Sequence, residues 1–318
     1  MNNKNNDIKP NVLISNCLEL EFCRYNSQMI SDKFIQNFRK HINSIKICPE
    51  VAIGMGTPRK TVSIYFDKNN NKKELIQEST NMNWTDKMNN FSSNFVENLD
   101  YLDGAILKSK SPSCGITDAK IRGKENNILM KKGPGLFTEK LLGKYPNLII
   151  ESEKRLNNGL IRDNFLIKVY INFRFRTQTK NFNELLEFHK NNKYLFMALS
   201  QKLQKELGNI LASHKNNFEE IKNLYRLKLS EISSLKVSKG KFQNALDHIF
   251  GYLRYKMNQK EKEHYFKLLK LYRDNKIFLI TIISSLEMYV LKYEIKYLEN
   301  QSIFNPYPND LLMDIKVC

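Results

Sequence analysis

Short apolar runs alternate with helical stretches over the first half of the chain, and only the helical period persists over the second. Asn11–Ser15, Ser44–Ile47, Thr61–Phe66, Gly104–Leu107 and Asn147–Glu151 are each short, β-branched or apolar, and bounded by loop chemistry, which predicts strands. Ser31 or Asp32 is placed to cap a helix reaching about His41, with Phe34, Ile35 and Phe38 inward. Glu74 to about Leu99 reads as one or two helices carrying the single Trp84, and DKNNNKK before it as a solvated loop. Gly133-Pro-Gly135 predicts a turn ahead of a helix over Leu136–Leu142. Strands alternating with helices predict an α/β fold, a Rossmann-like three-layer architecture with a mostly parallel sheet, over residues 1–163.

From residue 164 onward the pattern is helical throughout. Leu195, Leu199, Leu203, Leu207 and Leu211 recur every fourth residue as one stripe. Phe218–Leu235, Phe242–Met257, Gln259–Arg273 and Ile277–Gln301 read as further helices, closed by Asn305-Pro-Tyr-Pro308. Residues 164–318 are thus expected to form an all-α domain. The apolar run Ile277–Leu291 contains Glu287, is flanked by lysines, and falls short of the ~20 residues a membrane span needs, so it reads as a buried helix. The polar start MNNKNNDIKP lacks the apolar segment of a secretory signal, and the chain is expected to be cytoplasmic.

Composition adds a partner. The formal net charge is +18, with the larger basic surplus in the helical half. Such a surplus, without an amphipathic anchor or lipidation motif, points to nucleic acid before membrane. Tyr252, Tyr255 and Tyr265 lie among Arg254, Lys256 and Lys262, and this mix of rings and cations suits RNA, although most rings at helical spacing pack in cores. The glycines of VAIGMGTPRKT lack the third glycine and the following helix of a dinucleotide loop, so no nucleotide cofactor is expected.

The chemistry lies in cysteines. None of the five sits in a CxxC pair, and Cys318 is terminal. Cys17, Cys48 and Cys114 each follow a predicted strand. If those strands are parallel neighbours, three thiols meet at the carboxyl edge of one sheet, where open α/β sheets bind ligands. Free cysteines are often plain buried hydrophobes, but Ser15, Asn16, Glu50, Ser111 and Ser113 make these surroundings polar. Three thiolates without a nearby histidine fit a soft metal, an iron–sulfur cluster before zinc. A 4Fe–4S cluster with three cysteine ligands keeps one iron open.

The motifs VLISNCLEL, CRYN, ICPEVAIGMGTPR, LKSKSPSCG and GLFTEKLL with YPNLIIESEKRL occur in order over residues 11–157 and resemble the thiouracil desulfidase family. KYLFMALSQKLQKELGNI, GKFQNALDHIFGYLR and NPYPNDLL resemble the all-α domain fused to it in some members, a form similar to transfer-RNA 4-thiouridine desulfidases. The resemblance implies a 4Fe–4S cluster on Cys17, Cys48 and Cys114, with Glu50 and Ser111 as the catalytic pair. It implies removal of sulfur from 4-thiouridine in transfer RNA, the sulfur leaving as sulfide. Ser15, Arg24, Arg59, Lys108 and Ser113 are candidates for holding substrate, with Lys110 beside them, and Cys23 is a fourth thiol without an assigned role. The chain departs from the family pattern at Leu18-Glu19, Ser27, Leu199 and Phe242, the last two standing where histidine is common. Two other readings remain at this point: a desulfidase for free thiouracil-type bases, and a non-enzymatic RNA-binding iron–sulfur protein.

Overall fold

The computed structural model describes residues 8–69, 71–123, 128–213, 217–236 and 238–312. The expectations for the N-terminal residues before Ile8, for His214 and for Cys318 lie outside the described residues. The chain divides into two compact units, one holding residues up to Phe165 together with the stretch from Asp310, the other Leu166–Asn309. The helical domain was expected from 164 to the end of the chain. Instead the chain rejoins the first unit at Asp310, whose carbonyl accepts from the Asn37 side chain at 2.6 Å.

The first unit is built on a four-stranded parallel sheet. Its strands are β1 (Asn11–Ser15), β2 (Asn43–Ile47), β6 (Gly104–Leu107) and β9 (Ile150–Ser152), in the order β2-β1-β6-β9. Val12, Leu13 and Ile14 of β1 and all of β6 are buried, as expected for strands covered on both faces. The cysteine-bearing runs are therefore adjacent and parallel, β1 lying between β2 and β6. Helix α1 (Lys33–Phe38) connects the first two, and the Asp32 carboxylate caps it by accepting from the Ile35 N–H at 3.0 Å.

A second, mixed sheet has the order β5-β4-β3-β7-β8. It contains β3 (Ser63–Asp67), β4 (Lys72–Gln77), β5 (Met82–Asn83), β7 (Ala119–Gly123) and β8 (Leu129–Gly133). This corrects the helical expectation for Glu74–Leu99. KKELIQ pairs antiparallel with β3 and buries Leu75, so tertiary pairing overrides the helix propensity of Lys and Glu. Of the remaining elements, α2 (Pro49–Ala52) is a single turn, α3 (Thr85–Glu97) supplies the helical part, and α4 (Leu136–Lys144) follows the Gly-Pro-Gly turn.

The second unit is helical, with α5 (Gly159–Gln178) crossing the division, then α6 (Phe182–Leu199), α7 (Gln201–Ala212), α8 (Phe218–Ser230), α9 (Lys239–Leu253), α10 (Gln259–Arg273), α11 (Leu279–Lys292) and α12 (Lys296–Glu299). The leucine stripe belongs to two helices. Ser200 turns extended and caps α7 by accepting from the Leu203 N–H, so the stripe folds back on itself with all five leucines buried. Asn181, Asn217, Ser238 and Asn258 cap four more helices in the same way. Among the described residues, no helix is long and apolar enough to cross a membrane.

Two local devices fix the loops after β6. The first is an ion pair: Lys108 Nζ donates to Glu153 Oε1 at 2.8 Å, and the Ser109 N–H and hydroxyl donate to the same carboxylate at 2.8 and 2.6 Å. These bonds clamp the exits of β6 and β9, which pair from Ala105↔Ile150 to Leu107↔Ser152. Burial pushes the Glu153 carboxyl up, but the donors around it outweigh that and hold it below its ordinary value. The second device is Gly135. A Cβ there would sit 2.4 Å from the Ser113 carbonyl oxygen, so only glycine lets α4 approach the Ser111–Cys114 turn. The first N–H groups of α4 then serve that turn, Leu136 N donating to Pro112 O at 3.0 Å and Thr138 N to Ser113 O at 3.2 Å.

Glu153→Gln is expected to cost about 3 kcal/mol at neutral pH, because it leaves a partly buried lysine without its counter-charge. A carboxyl held low stabilises fully above its unfolded value of about 4.3 and loses that contribution as pH falls through its folded value. Urea melts should therefore show the gap between parent and variant closing as pH falls below the ordinary carboxylate range of about 4.3; a constant gap would remove the charge from the account. Gly135→Ala is expected to destabilise the fold by about 1–3 kcal/mol through overpacking, read as a lowered urea midpoint, and an unchanged midpoint would show that the turn has room to move.

Candidate functional site

The three strand exits build one cavity of about 400 Å³. Cys17 lies two residues past β1, Cys48 immediately past β2, and Cys114 in the long loop after β6. All three line the cavity, together with Cys23, Glu50, Ser111, Ser15, Arg24, Arg59 and Lys108. Ser113 lies just behind the wall, fully buried. The structure thus brings every candidate residue named from the sequence into one neighbourhood, and the parallel order of β2, β1 and β6 is the reason.

Each thiol is set by its loop. Cys48 precedes Pro49, the first residue of α2, and the Val51 N–H donates to its sulfur. Cys114 is buried and hydrogen-bonded to the Ser15 hydroxyl, whose oxygen in turn accepts from the Lys108 N–H at 3.0 Å. The Cys23 thiol is hydrogen-bonded to Cys17 and Cys48. Contact with Cys17 is the largest influence pushing the Cys23 thiol up to about 12. Contact with Cys23 and then burial push Cys48 up, and burial does the same to Cys114. A cavity of crowded thiols resists ionisation until a cation compensates it, which is the chemistry of a metal-binding donor set. Among the described residues no histidine lines the cavity, and no three His, Cys, Asp or Glu side chains are arranged to hold a single metal ion. Several sulfurs spread around one cavity fit a cluster, in which different irons take different thiolates.

A carboxylate and two hydroxyls lie beside the thiols. Glu50 is the second residue of α2, and its two carboxylate oxygens are used differently. Oε2 accepts from the Arg59 guanidinium, at 3.0 Å from Nε and from Nη2 as well. Oε1 accepts from the Ser113 hydroxyl at 2.9 Å and faces the Ser111 hydroxyl at 3.5 Å. Ser111 Oγ also accepts from the Cys114 N–H at 3.0 Å and the Ser113 N–H at 3.2 Å. Two backbone donors and a neighbouring carboxylate are the arrangement a hydroxyl needs to give up its proton.

The substrate-holding candidates divide. Arg59 is buried against Glu50 and also donates to the carbonyls of Cys23 and Gly56 at 2.9 and 3.0 Å, so it positions the carboxylate. Ser113 does the same from the other side. Lys108 is engaged by Glu153 and Ser15 aligns Cys114, as described above. Arg24 is half-buried, its guanidinium 5.6 Å from the centre of the exposed Tyr25 ring, and Lys110, also lining the cavity, is exposed. Sequence reasoning assigned nothing to Ser109, Thr61 or Glu153. Glu153 had a signal, since a carboxylate directly after a buried strand needs a partner.

Comparison with known proteins follows the same division of the chain. Residues 12–153 match the family model described as 2-thiouracil desulfurase. Residues 193–308 match the model described as protein of unknown function (DUF1722). The uncharacterized protein YbgA of Escherichia coli (strain K12) is 27% identical over 126 residues, covering 39% of this chain and 75% of YbgA. A solved structure of the 4Fe–4S-dependent thiouracil desulfidase TudS is 26% identical and covers 47% of this chain and 94% of its own, with a TM-score of 0.36. The cysteine-bearing α/β unit thus matches the 2-thiouracil desulfurase family model, and the helical unit of the same chain matches the DUF1722 model.

Proposed function

We propose that the protein exchanges sulfur for oxygen at a thiocarbonyl base, with 4-thiouridine in transfer RNA as its substrate, and that Cys17, Cys48 and Cys114 hold a 4Fe–4S cluster. The observation that carries this reading is the polar constellation of Glu50, Ser111, Ser113 and Arg59 facing a cavity walled by cysteine sulfur. When bound there, a cluster with one iron free of protein thiolate supplies a Lewis acid for the thiocarbonyl sulfur.

The chain's own residues account for the remainder. Arg59 fixes Oε2 of Glu50, leaving Oε1 directed at the serines. Glu50 takes a proton from the attacking oxygen, either Ser111 Oγ or a water held in its place. The Ser111–Glu50 distance of 3.5 Å is long for a hydrogen bond, and such contacts tighten when substrate fills a site. The N–H groups of Ser113 and Cys114 hold Ser111 Oγ in position and stabilise charge on that oxygen. The exchange of C=S and water for C=O and hydrogen sulfide balances without electron transfer.

Transfer RNA is favoured over a free base by the second unit. Tyr255 is 81% exposed with the Arg254 guanidinium 4.3 Å from its ring centre, and Tyr252 is partly exposed. Tyr265, grouped with them from sequence, is core, stacked on Phe250 at 4.5 Å. Exposed rings beside cations stack on unpaired bases and hold phosphates.

The decisive experiment is anaerobic reconstitution with iron and sulfide, followed by sulfide release from thiolated transfer RNA and from free 2- and 4-thiouracil. Release from RNA in preference supports the proposal, release only from free bases replaces the substrate, and release from neither leaves an RNA-binding iron–sulfur protein. Glu50→Gln and Ser111→Ala are expected to retain the cluster absorbance while lowering turnover by about 100-fold or more; full turnover in either would sink its assigned role. Arg254→Glu combined with Tyr255→Ala is expected to weaken transfer-RNA binding about tenfold, with the parent's affinity falling steeply with salt. Unchanged, salt-insensitive binding would move the RNA surface elsewhere.

A further inference from the structure

The chain after β1 holds two aromatic rings in water beside the cavity. It forms a loop closed at its base, where the Ile30 N–H donates to the Cys17 carbonyl at 2.8 Å and the Glu19 N–H to the Ile30 carbonyl at 3.1 Å. On this loop Phe22 is 68% exposed and Tyr25 43% exposed. Tyr25 also lines the cavity, so it marks where the cavity meets solvent. Cys23 and Arg24 line the cavity as well, and Phe22 stands one residue outside that wall.

The backbone on both sides of Phe22 is tied down. The Glu21 N–H before it donates to the Asn16 carbonyl at 2.8 Å, and the Cys23 carbonyl after it accepts from Arg59 Nη1 at 2.9 Å. The Arg59 N–H donates to the Tyr25 carbonyl at 2.8 Å. The acid next to the ring is engaged too, its carboxylate accepting from Asn16 Nδ2 at 2.9 Å. Exposed apolar side chains are ordinary when scattered singly. A ring that is held rigidly in water, next to a second ring and a cavity, adds nothing to the core and is placed to meet something from outside.

A thiolated base in RNA has to leave its stack to enter such a cavity, and its departure opens a gap in the strand. Apolar side chains pushed between base steps fill and hold gaps of this kind. We infer that Phe22 is the wedge that enters the gap, stacking on the nucleotide next to the thiolated one while that base occupies the cavity. Arg24 and Lys110, which line the same cavity, are the cations for the flanking phosphates. This rests on the reading of thiolated RNA as substrate and names a strand contact that a free base lacks. Phe22 is a positioning residue: it acts once RNA is bound and does not replace the surface that binds it.

The test measures kcat/KM for sulfide release by the reconstituted full-length protein, with thiolated transfer RNA and free 4-thiouracil side by side. Phe22→Ala is expected to lower the value on RNA about tenfold and leave the value on the free base unchanged, while Phe22→Trp stays within about twofold of the parent on both. A thiolated RNA carrying 2-aminopurine beside the thiolated nucleotide reads the contact directly: its fluorescence is expected to change on binding the parent and the tryptophan variant, and to differ with the alanine variant. An unchanged rate on RNA, an equal loss on both substrates, or a tryptophan variant as slow as the alanine one would overturn the inference. A parent that releases sulfide from the free base and none from RNA would instead overturn the substrate reading beneath it.

Discussion

The ion pair between Glu50 and Arg59 is the constraint on which the site depends. Both side chains are largely withdrawn from water, at 13% and 5% exposure, so each charge needs its partner and its remaining hydrogen bonds satisfied. The pair meets that demand through three loops at once. Glu50 comes from the turn after β2, Arg59 from the chain beyond it, and the guanidinium reaches the carbonyl of Cys23 in the loop after β1. Ser111 and Ser113, from the loop after β6, complete the carboxylate. The loops carrying all four cavity cysteines are therefore cross-linked by one carboxylate and one guanidinium. A buried ion pair contributes little net stability, but it fixes one geometry, because any other arrangement strands a charge.

Sulfur imposes the opposite constraint. Thiols packed together in a half-closed cavity oppose each other's ionisation, through mutual hydrogen bonds and burial. The Cys23, Cys48 and Cys114 thiols are thus held toward their neutral form, while the Glu50 carboxylate beside them is paired with Arg59. Metal binding must then be linked to loss of the thiol protons, and the loops that carry them gain their stability with the metal. The scaffold beneath does not wait for it. The central strands β1 and β6 are buried on both sides, the Lys108–Glu153 clamp ties β6 to β9, and α4 is packed on the Ser111–Cys114 turn through Gly135.

Much of this was legible in the sequence where local pattern and tertiary role agree. NVLIS and GAIL are strands because their residues have no other place to bury, and the cysteines follow directly from the strand ends. The reading failed where pairing partners decide. KKELIQ has helical composition but becomes a strand beside β3, and the charged, glycine-ended strands AKIRG and LMKKG carry no strand signal of their own. The leucine stripe breaks at Ser200 because the serine leaves the helical conformation to cap α7, which an unbroken apolar period does not show. In the site, residue identity was readable but division of labour was not. Arg59 and Lys108 look alike in sequence as cations near a cavity, and only folding shows that each already has a carboxylate.

That division of labour bears on what the protein selects. With Arg59 and Lys108 occupied, the cavity walls offer sulfur, a carboxylate and hydroxyls, which do not recognise phosphate. Arg24 and Lys110, which also line the cavity, are the cations left to meet a substrate from outside. Two cations are too few for a polyanion whose binding is built from several phosphate contacts. Chemistry and selection thus fall to different parts of the chain. On the proposed reading, the α/β unit supplies the reaction, and a preference for RNA would have to come from surface charge and exposed rings of the kind that Arg254 and Tyr255 present.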